Sequence, residues 1–179
     1  MLLSLYRFAI LSSLIGTSVT YAADITQTVI HIHGTILGPT CTIKNKDLLV
    51  KFGTLTNKDL LFNQRSPSQD VIIEFSDCQI DDNSAAITFM GEESFYSDLQ
   101  GLLAIDGDVA SAPAGFAIRL TYLDGTPLPV NQESTTFNIE NNRSIHLKAF
   151  VQTSQDAINS RKIRLGEFYA TANFLVEYQ

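Results

Sequence analysis

GEFYATANFLVEYQ, residues Gly166 to Gln179, is the stretch on which the fold turns. Its even positions are Gly166, Phe168, Ala170, Ala172, Phe174, Val176 and Tyr178, apolar apart from one phenol hydroxyl. Its odd positions are Glu167, Tyr169, Thr171, Asn173, Leu175, Glu177 and Gln179, mostly polar with Leu175 as the exception. Successive side chains of a strand point to opposite faces, so this period of two predicts a strand with one buried face and one wet face. No proline interrupts it. Fourteen residues is long beside the usual strand of about 5–6. A long terminal strand with an apolar stripe is also an edge to which another chain can add a strand.

The other end of the chain alternates too. Thr28, Ile30, Ile32 and Gly34 share one face of residues 24–36, with His31 and His33 on the other. Gly38-Pro39 punctuates that run, and Cys41 follows. Upstream, Arg7, an apolar run from Phe8 to Val19 and the small-residue ending Ala22-Ala23 predict a cleaved export signal over residues 1–23. Twelve apolar residues fall short of the ~20 needed to span a bilayer.

The chain has 179 residues, which suits one domain after processing. The signal contains one basic and no acidic side chain, so 11 basic against 19 acidic residues leave the mature chain at −8. That balance argues against nucleic acid and against anionic lipid, which both need clustered Lys and Arg. Two cysteines, Cys41 and Cys78, lie in the exported part. An even pair in an oxidising compartment predicts a disulfide.

Between the ends, short strand-like runs alternate with turn residues. Leu48–Phe52, Val71–Phe75, Ala85–Met90, Gly115–Leu123, Thr135–Ile139 and Ser144–Thr153 read as strands, and Gly101–Ile105 as a run that pairs. Asp81-Asp82-Asn83-Ser84, Asp106-Gly107 and Asp124-Gly125 read as turns, and residues 154–165 as a polar loop. Pro127 and Pro129 keep the following segment off a central strand. No three-turn helix with caps is visible. The pattern predicts an all-β, antiparallel sandwich.

Chemistry-bearing motifs are missing. The sequence lacks G-x-S-x-G, H-E-x-x-H and a phosphate-cradling glycine loop. His31 and His33 have no third metal ligand nearby, and Asp77, Asp81 and Asp82 lack calcium-loop spacing. Neither an enzyme nor a cofactor is expected.

Several features together resemble the fimbrial subunits of the chaperone–usher class, the type 1 and P pilins. Gly34 stands seven residues before Cys41; Phe75-Ser-Asp-Cys78, Ile87-Thr-Phe-Met-Gly91, Gly115-Phe-Ala-Ile-Arg-Leu120 and Leu123-Asp-Gly-Thr-Pro-Leu-Pro129 are similar to internal pilin segments. A glycine fourteenth from the end and a tyrosine next to last, here Gly166 and Tyr178, complete the likeness. The resemblance implies an incomplete immunoglobulin-like sandwich lacking its last strand, over residues 37–179, preceded by a donor-strand arm, residues 24–36. It implies that the groove beside the C-terminal strand is filled first by a periplasmic chaperone. The arm of a neighbouring subunit then takes its place at an outer-membrane usher, building a surface fimbria that supports adhesion. In the arm, Thr28, Ile30, Ile32 and Gly34 are expected to face the groove. Many pilin arms have glycine where this chain has Thr28, which points toward a minor tip or adaptor subunit rather than a repeating rod. The alternative is a single-domain adhesin that binds a host ligand itself, with Phe95-Tyr96 as its one aromatic candidate.

Overall fold

The computed structural model describes residues 41–78, 84–139 and 143–178. Eight strands and two short helices follow in chain order. They are β1 (Thr42–Ile43), α1 (Asn57–Asn63), β2 (Gln69–Ser76), β3 (Ser84–Gly91) and β4 (Phe116–Thr121). Then come β5 (Pro127–Leu128), β6 (Phe137–Asn138), β7 (Ser144–Thr153), α2 (Gln155–Ser160) and β8 (Ala172–Tyr178). One sheet has the order β1-β2-β7-β4-β5 and the other β6-β3-β8, with every pairing antiparallel.

The inward-pointing residues of both sheets make one core. Val71, Ile73 and Phe75 of β2 and Ile145, Leu147, Ala149 and Val151 of β7 are buried together with Ile118 and Leu120 of β4. They meet Ala85, Ile87 and Phe89 of β3. Alternation fixes which face each strand presents, because a slip of one residue would turn every side chain over. Cys41 and Cys78 are joined by a disulfide, tying the entrance of β1 to the exit of β2. Pro127 lies on the edge strand β5, where its missing N–H costs nothing.

Three sequence expectations need correction. The segment Leu48–Phe52 is not a ladder strand. Its side chains still alternate, with Leu48, Val50 and Phe52 half-buried and Leu49 and Lys51 exposed, but no described strand pairs with it. Residues 154–165 are not all loop: α2 forms there, its Ser154 side chain accepting the Ala157 amide at 3.2 Å. α1 likewise starts at Thr56, whose side chain accepts from Asp59 N. Helices of seven and six residues are too short to show a 3.6-residue stripe. Third, only Ala172–Tyr178 of the terminal run joins the ladder, so Gly166, Phe168 and Ala170 precede β8. The reason is partner length: β3 ends at Gly91, which faces Ala172. Gly101–Ile105 pairs only through isolated bridges of Leu103 to Glu93 and to Ile118.

The signal, the arm with its histidines, and the turn residues Asp81, Asp82 and Asn83 lie outside the described residues. Among the described residues no helix is long and apolar enough to cross a membrane.

Candidate functional site

β8 sits at the end of its sheet, paired with β3 on one side and with no described strand on the other. The alternation expected of the terminal stretch is present from Glu167 to Tyr178. Every odd position there is exposed, and every even one is half-buried. That second fact is the informative one. Phe168, Ala170, Ala172, Phe174, Val176 and Tyr178 all pack against the core, yet none is sealed from water. Core-facing residues of a closed sandwich are normally buried outright.

Beside this stripe runs a groove of about 1060 Å³. One lip is the Gly166–Phe174 segment; the other is the unladdered segment from Lys46 to Thr54, with Leu48, Val50 and Phe52 turned inward. Its floor includes Val71, Phe89, Leu103, Ile118, Leu120 and Ala149, which are the core itself. Two contacts close the ends. At one, the Tyr178 hydroxyl donates to the Cys41 carbonyl at 3.0 Å, and its ring meets Phe75 edge-on at 6.4 Å. Burial raises the Tyr178 phenol above its ordinary value, keeping it a neutral donor. At the other end the Phe52 and Phe168 rings approach to 6.1 Å, and Phe116 meets Phe168 at 5.2 Å.

The first part of the β8 lip has no ladder to hold it. Instead, the Asp106 amide donates to the Tyr169 carbonyl at 2.8 Å, and the Thr171 hydroxyl donates to the Asp106 carboxylate at 3.1 Å. Gly166 takes φ +119°, a left-handed value open to glycine, where the chain bends into this lip. The loop supplying Asp106 also supplies Leu103 to the floor. Tyr96 holds its exit, donating its hydroxyl to the Asp108 carboxylate at 3.4 Å and accepting the Gly115 amide at 2.7 Å.

Sequence reasoning placed the β8 stripe but missed the opposite lip, the Leu103 floor and the Asp106 brace. The alternation of Leu48, Val50 and Phe52 was the available signal for the lip; nothing in the sequence marks Asp106. Of the Phe95-Tyr96 pair, Tyr96 is 7% exposed, a lid over a small cluster with Leu99, Leu102 and Ala117, while Phe95 is exposed and lies against the Tyr96 ring at 4.2 Å. Among the described residues no group of three metal-ligating side chains converges.

Among the described residues the chain is a two-layer antiparallel sandwich with a strand position open beside β8. The family model of fimbrial proteins matches residues 30–179. The chain belongs to the fimbrial protein family. It is a structural pilus subunit and not an enzyme. A protein of Proteus mirabilis (strain HI4320), named as a minor fimbrial subunit, PmfF, is 25% identical over 181 residues, covering 98% of each chain. The crystal structure of the P pilus rod subunit PapA superposes with a TM-score of 0.64 at 24% identity, over 79% of this chain and 100% of that one. A chain from the structure of a chaperone–usher pilus gives 0.64 at 22% identity, over 89% and 100%. The fold of this pilin is therefore the immunoglobulin-like sandwich short of one strand.

Proposed function

We propose that this pilin completes its sandwich with a strand borrowed from another protein, and that the groove between Leu48–Phe52 and Phe168–Tyr178 is the receiving site. The observation that carries this reading is the half-buried even face of residues 168–178, lying over core residues beside an unpaired edge. Adding a strand there joins backbone bonds to β8 and places alternate side chains over the floor. This is β-augmentation, of which pilin complementation by its chaperone is a recognised case. A periplasmic chaperone supplies the strand first. At the outer-membrane usher the arm of a neighbouring subunit, residues 24–36, replaces it. The contact is head to tail and non-closing, so repetition builds a fibre on the cell surface that supports adhesion. The predicted signal over residues 1–23 provides export. Thr28 and the name of the Proteus mirabilis relative support a minor position in that fibre.

The arm is tested by charge. An aspartate in place of Ile30 or Ile32 has to enter an apolar site unpaired, which is strongly unfavourable. The Ile30→Asp and Ile32→Asp subunits are expected to bind chaperone normally and to be absent from purified fibres, while His31→Asp is incorporated. Normal incorporation of both isoleucine variants refutes the assignment of this arm as the donor.

A further inference from the structure

Five strands face three in the sandwich, and core-facing residues stay half-covered at both edges of the narrower sheet. One edge is β8, with the groove. The other is β6, and β3 separates the two. At the β6 edge Tyr122, the next core-facing residue after Leu120 of β4, stacks on Phe137 with ring centroids 5.5 Å apart and planes 29° from parallel. Both rings pack against the core and both remain half-buried. They wall a cleft of about 560 Å³ that has Ile145 beneath it and Leu123, Asp124, Asn138 and His146 exposed around it. Small-ligand sites occupy roughly 300–1,000 Å³ and combine an apolar lining with a few fixed polar groups. Among the described residues this cleft shares no lining residue with the groove.

The cleft is held in shape by the chain itself. The Tyr122 hydroxyl oxygen accepts the Thr135 amide at 2.8 Å, which fixes the ring. The Tyr122 amide donates to the Thr126 carbonyl at 2.9 Å, which closes the turn carrying Leu123 and Asp124. Asp124 accepts the Thr126 amide at 2.8 Å, and that bond holds its carboxyl below the usual carboxylate range. On β7, His146 Nε2 lies 3.0 Å from the Ser144 hydroxyl oxygen, so its own strand orients the imidazole.

Charge excludes one class of ligand. No lysine or arginine is among the described lining residues, and the one formal charge there is the Asp124 carboxylate. A phosphate, a sulfate or a second carboxylate is repelled. Ring geometry argues against another class. Recognition of an organic ammonium uses aromatic faces that converge on it, but Tyr122 and Phe137 turn one face each toward the other and have at most one left apiece. A neutral ring bearing hydroxyls fits what remains. A pyranose has a face of C–H bonds, which suits the negative face of an aromatic ring. Its hydroxyls each donate and accept, and the Asp124 carboxylate, the Asn138 amide and the His146 ring supply both kinds of partner.

We propose that the cleft bounded by Tyr122, Phe137, Asp124 and His146 binds a neutral pyranose, which lies against an aromatic face with its hydroxyls toward Asp124 and His146. The proposal is independent of the strand-donation reading, because it concerns the opposite edge of the sheet from β8. Each copy of the subunit carries its own sugar site, at an edge that strand addition to β8 does not use.

The test uses the mature subunit purified from periplasm with its chaperone, and a panel of methyl pyranosides: glucoside, galactoside, mannoside, fucoside and N-acetylglucosaminide. Saturation-transfer NMR reads which sugar protons lie against protein, and titration gives the dissociation constant. At least one methyl pyranoside is expected to bind, with saturation strongest on the C–H protons of one ring face. Phe137→Leu keeps an apolar side chain and removes the ring; it is expected to weaken that sugar by about three- to tenfold, the worth of one aromatic contact. His146→Ala, at an exposed position where folding is not at stake, is expected to weaken it by a similar factor. Absence of any pyranoside signal overturns the proposal. So does a signal that neither variant alters, since the chaperone is common to all samples and the sugar then lies elsewhere. Tetramethylammonium is the contrasting probe. If it binds while the pyranosides do not, and Asp124→Asn abolishes its binding, the cleft is a cation site and the proposal falls. A subunit recovered without a chaperone is titrated in the same way, so failure of the strand-donation reading leaves this test intact.

Discussion

Replacing Tyr96 by phenylalanine removes one oxygen from a buried site and isolates its consequences. In the folded chain that oxygen accepts the Gly115 amide at 2.7 Å, and its proton points to the Asp108 carboxylate at 3.4 Å. Gly115 has no freedom to seek another acceptor. Its φ is +87°, and a Cβ built on it lies 2.9 Å from the Ala157 methyl and 3.1 Å from the Lys162 carbonyl oxygen. Tyr96→Phe therefore leaves a buried N–H without a partner, which costs about 1–3 kcal/mol, more than the ~1 kcal/mol of an average hydrogen bond. The same site makes a second, pH-dependent claim. Burial pushes the Tyr96 phenol up to about 12, from an ordinary value of 10.0. Below pH 10 both folded and unfolded chains hold the proton, and its contribution to stability is complete. Between pH 10 and about 12 the unfolded chain loses the proton first, so stability falls as pH rises, by roughly 2 kcal/mol from this group. The measurement is urea unfolding of the oxidised subunit, followed by far-ultraviolet circular dichroism at pH 7 and at intervals from pH 9 to 12. The variant is expected to be less stable by 1–3 kcal/mol at pH 7, and the gap should narrow above pH 10. A difference below about 0.5 kcal/mol at pH 7, the ordinary range of inconsequential substitutions, would sink the reasoning. So would a gap that stays constant through pH 12.

Three further outcomes are expected. Removing Tyr178 and Gln179 deletes the hydrogen bond to Cys41 and the ring contact to Phe75; co-purification with the chaperone should be lost, and intact recovery of the complex contradicts this. Cys41→Ser opens a loop with a sequence separation of 37, which the chain-entropy estimate values at about 4 kcal/mol; the variant's periplasmic yield should collapse, and a urea midpoint equal to the parent's contradicts it. Asp106→Ala removes the acceptor for the Thr171 hydroxyl and is expected to slow donor-peptide uptake while leaving the thermal midpoint of the peptide-filled subunit within a few degrees, about what one lost exposed hydrogen bond produces. Unchanged uptake rates show that the lip needs no brace.

The strands legible in the sequence were those paired on both sides or packed throughout. Ser144–Thr153 was read with the bounds that β7 has, because Ile145, Leu147, Ala149 and Val151 alternate without interruption and both neighbours are long. Val71–Phe75 and Ala85–Met90 fall inside β2 and β3, each apolar enough to read as a strand and each paired along its length with one long neighbour, β7 or β8. The misread segments are those where side-chain period and hydrogen bonding part company. Leu48–Phe52 and Phe168–Ala170 have the alternation of strands, yet among the described residues neither has a strand neighbour at the level where it lies. Periodicity reports which way side chains point; it carries no information on whether a partner is present. That is why the open position itself was not legible from pattern and came only through the likeness to pilins. α1 and α2 were invisible because their Thr56 and Ser154 caps look like loop residues until the turn that follows is seen to fold.

Among the described residues the lining of the groove has three charged side chains, Lys46, Asp47 and Glu167. A joint made there depends on how strongly water rejects hydrocarbon, and little on ion pairs. Its cohesion is therefore nearly indifferent to ionic strength, since screening acts on charges and the contact offers few. Dilute, brackish or saline surroundings leave it equally firm. Temperature is the variable it feels, because apolar burial weakens on cooling. On the proposed reading, a fibre joined through this groove holds against changes of salt and is loosened by chilling.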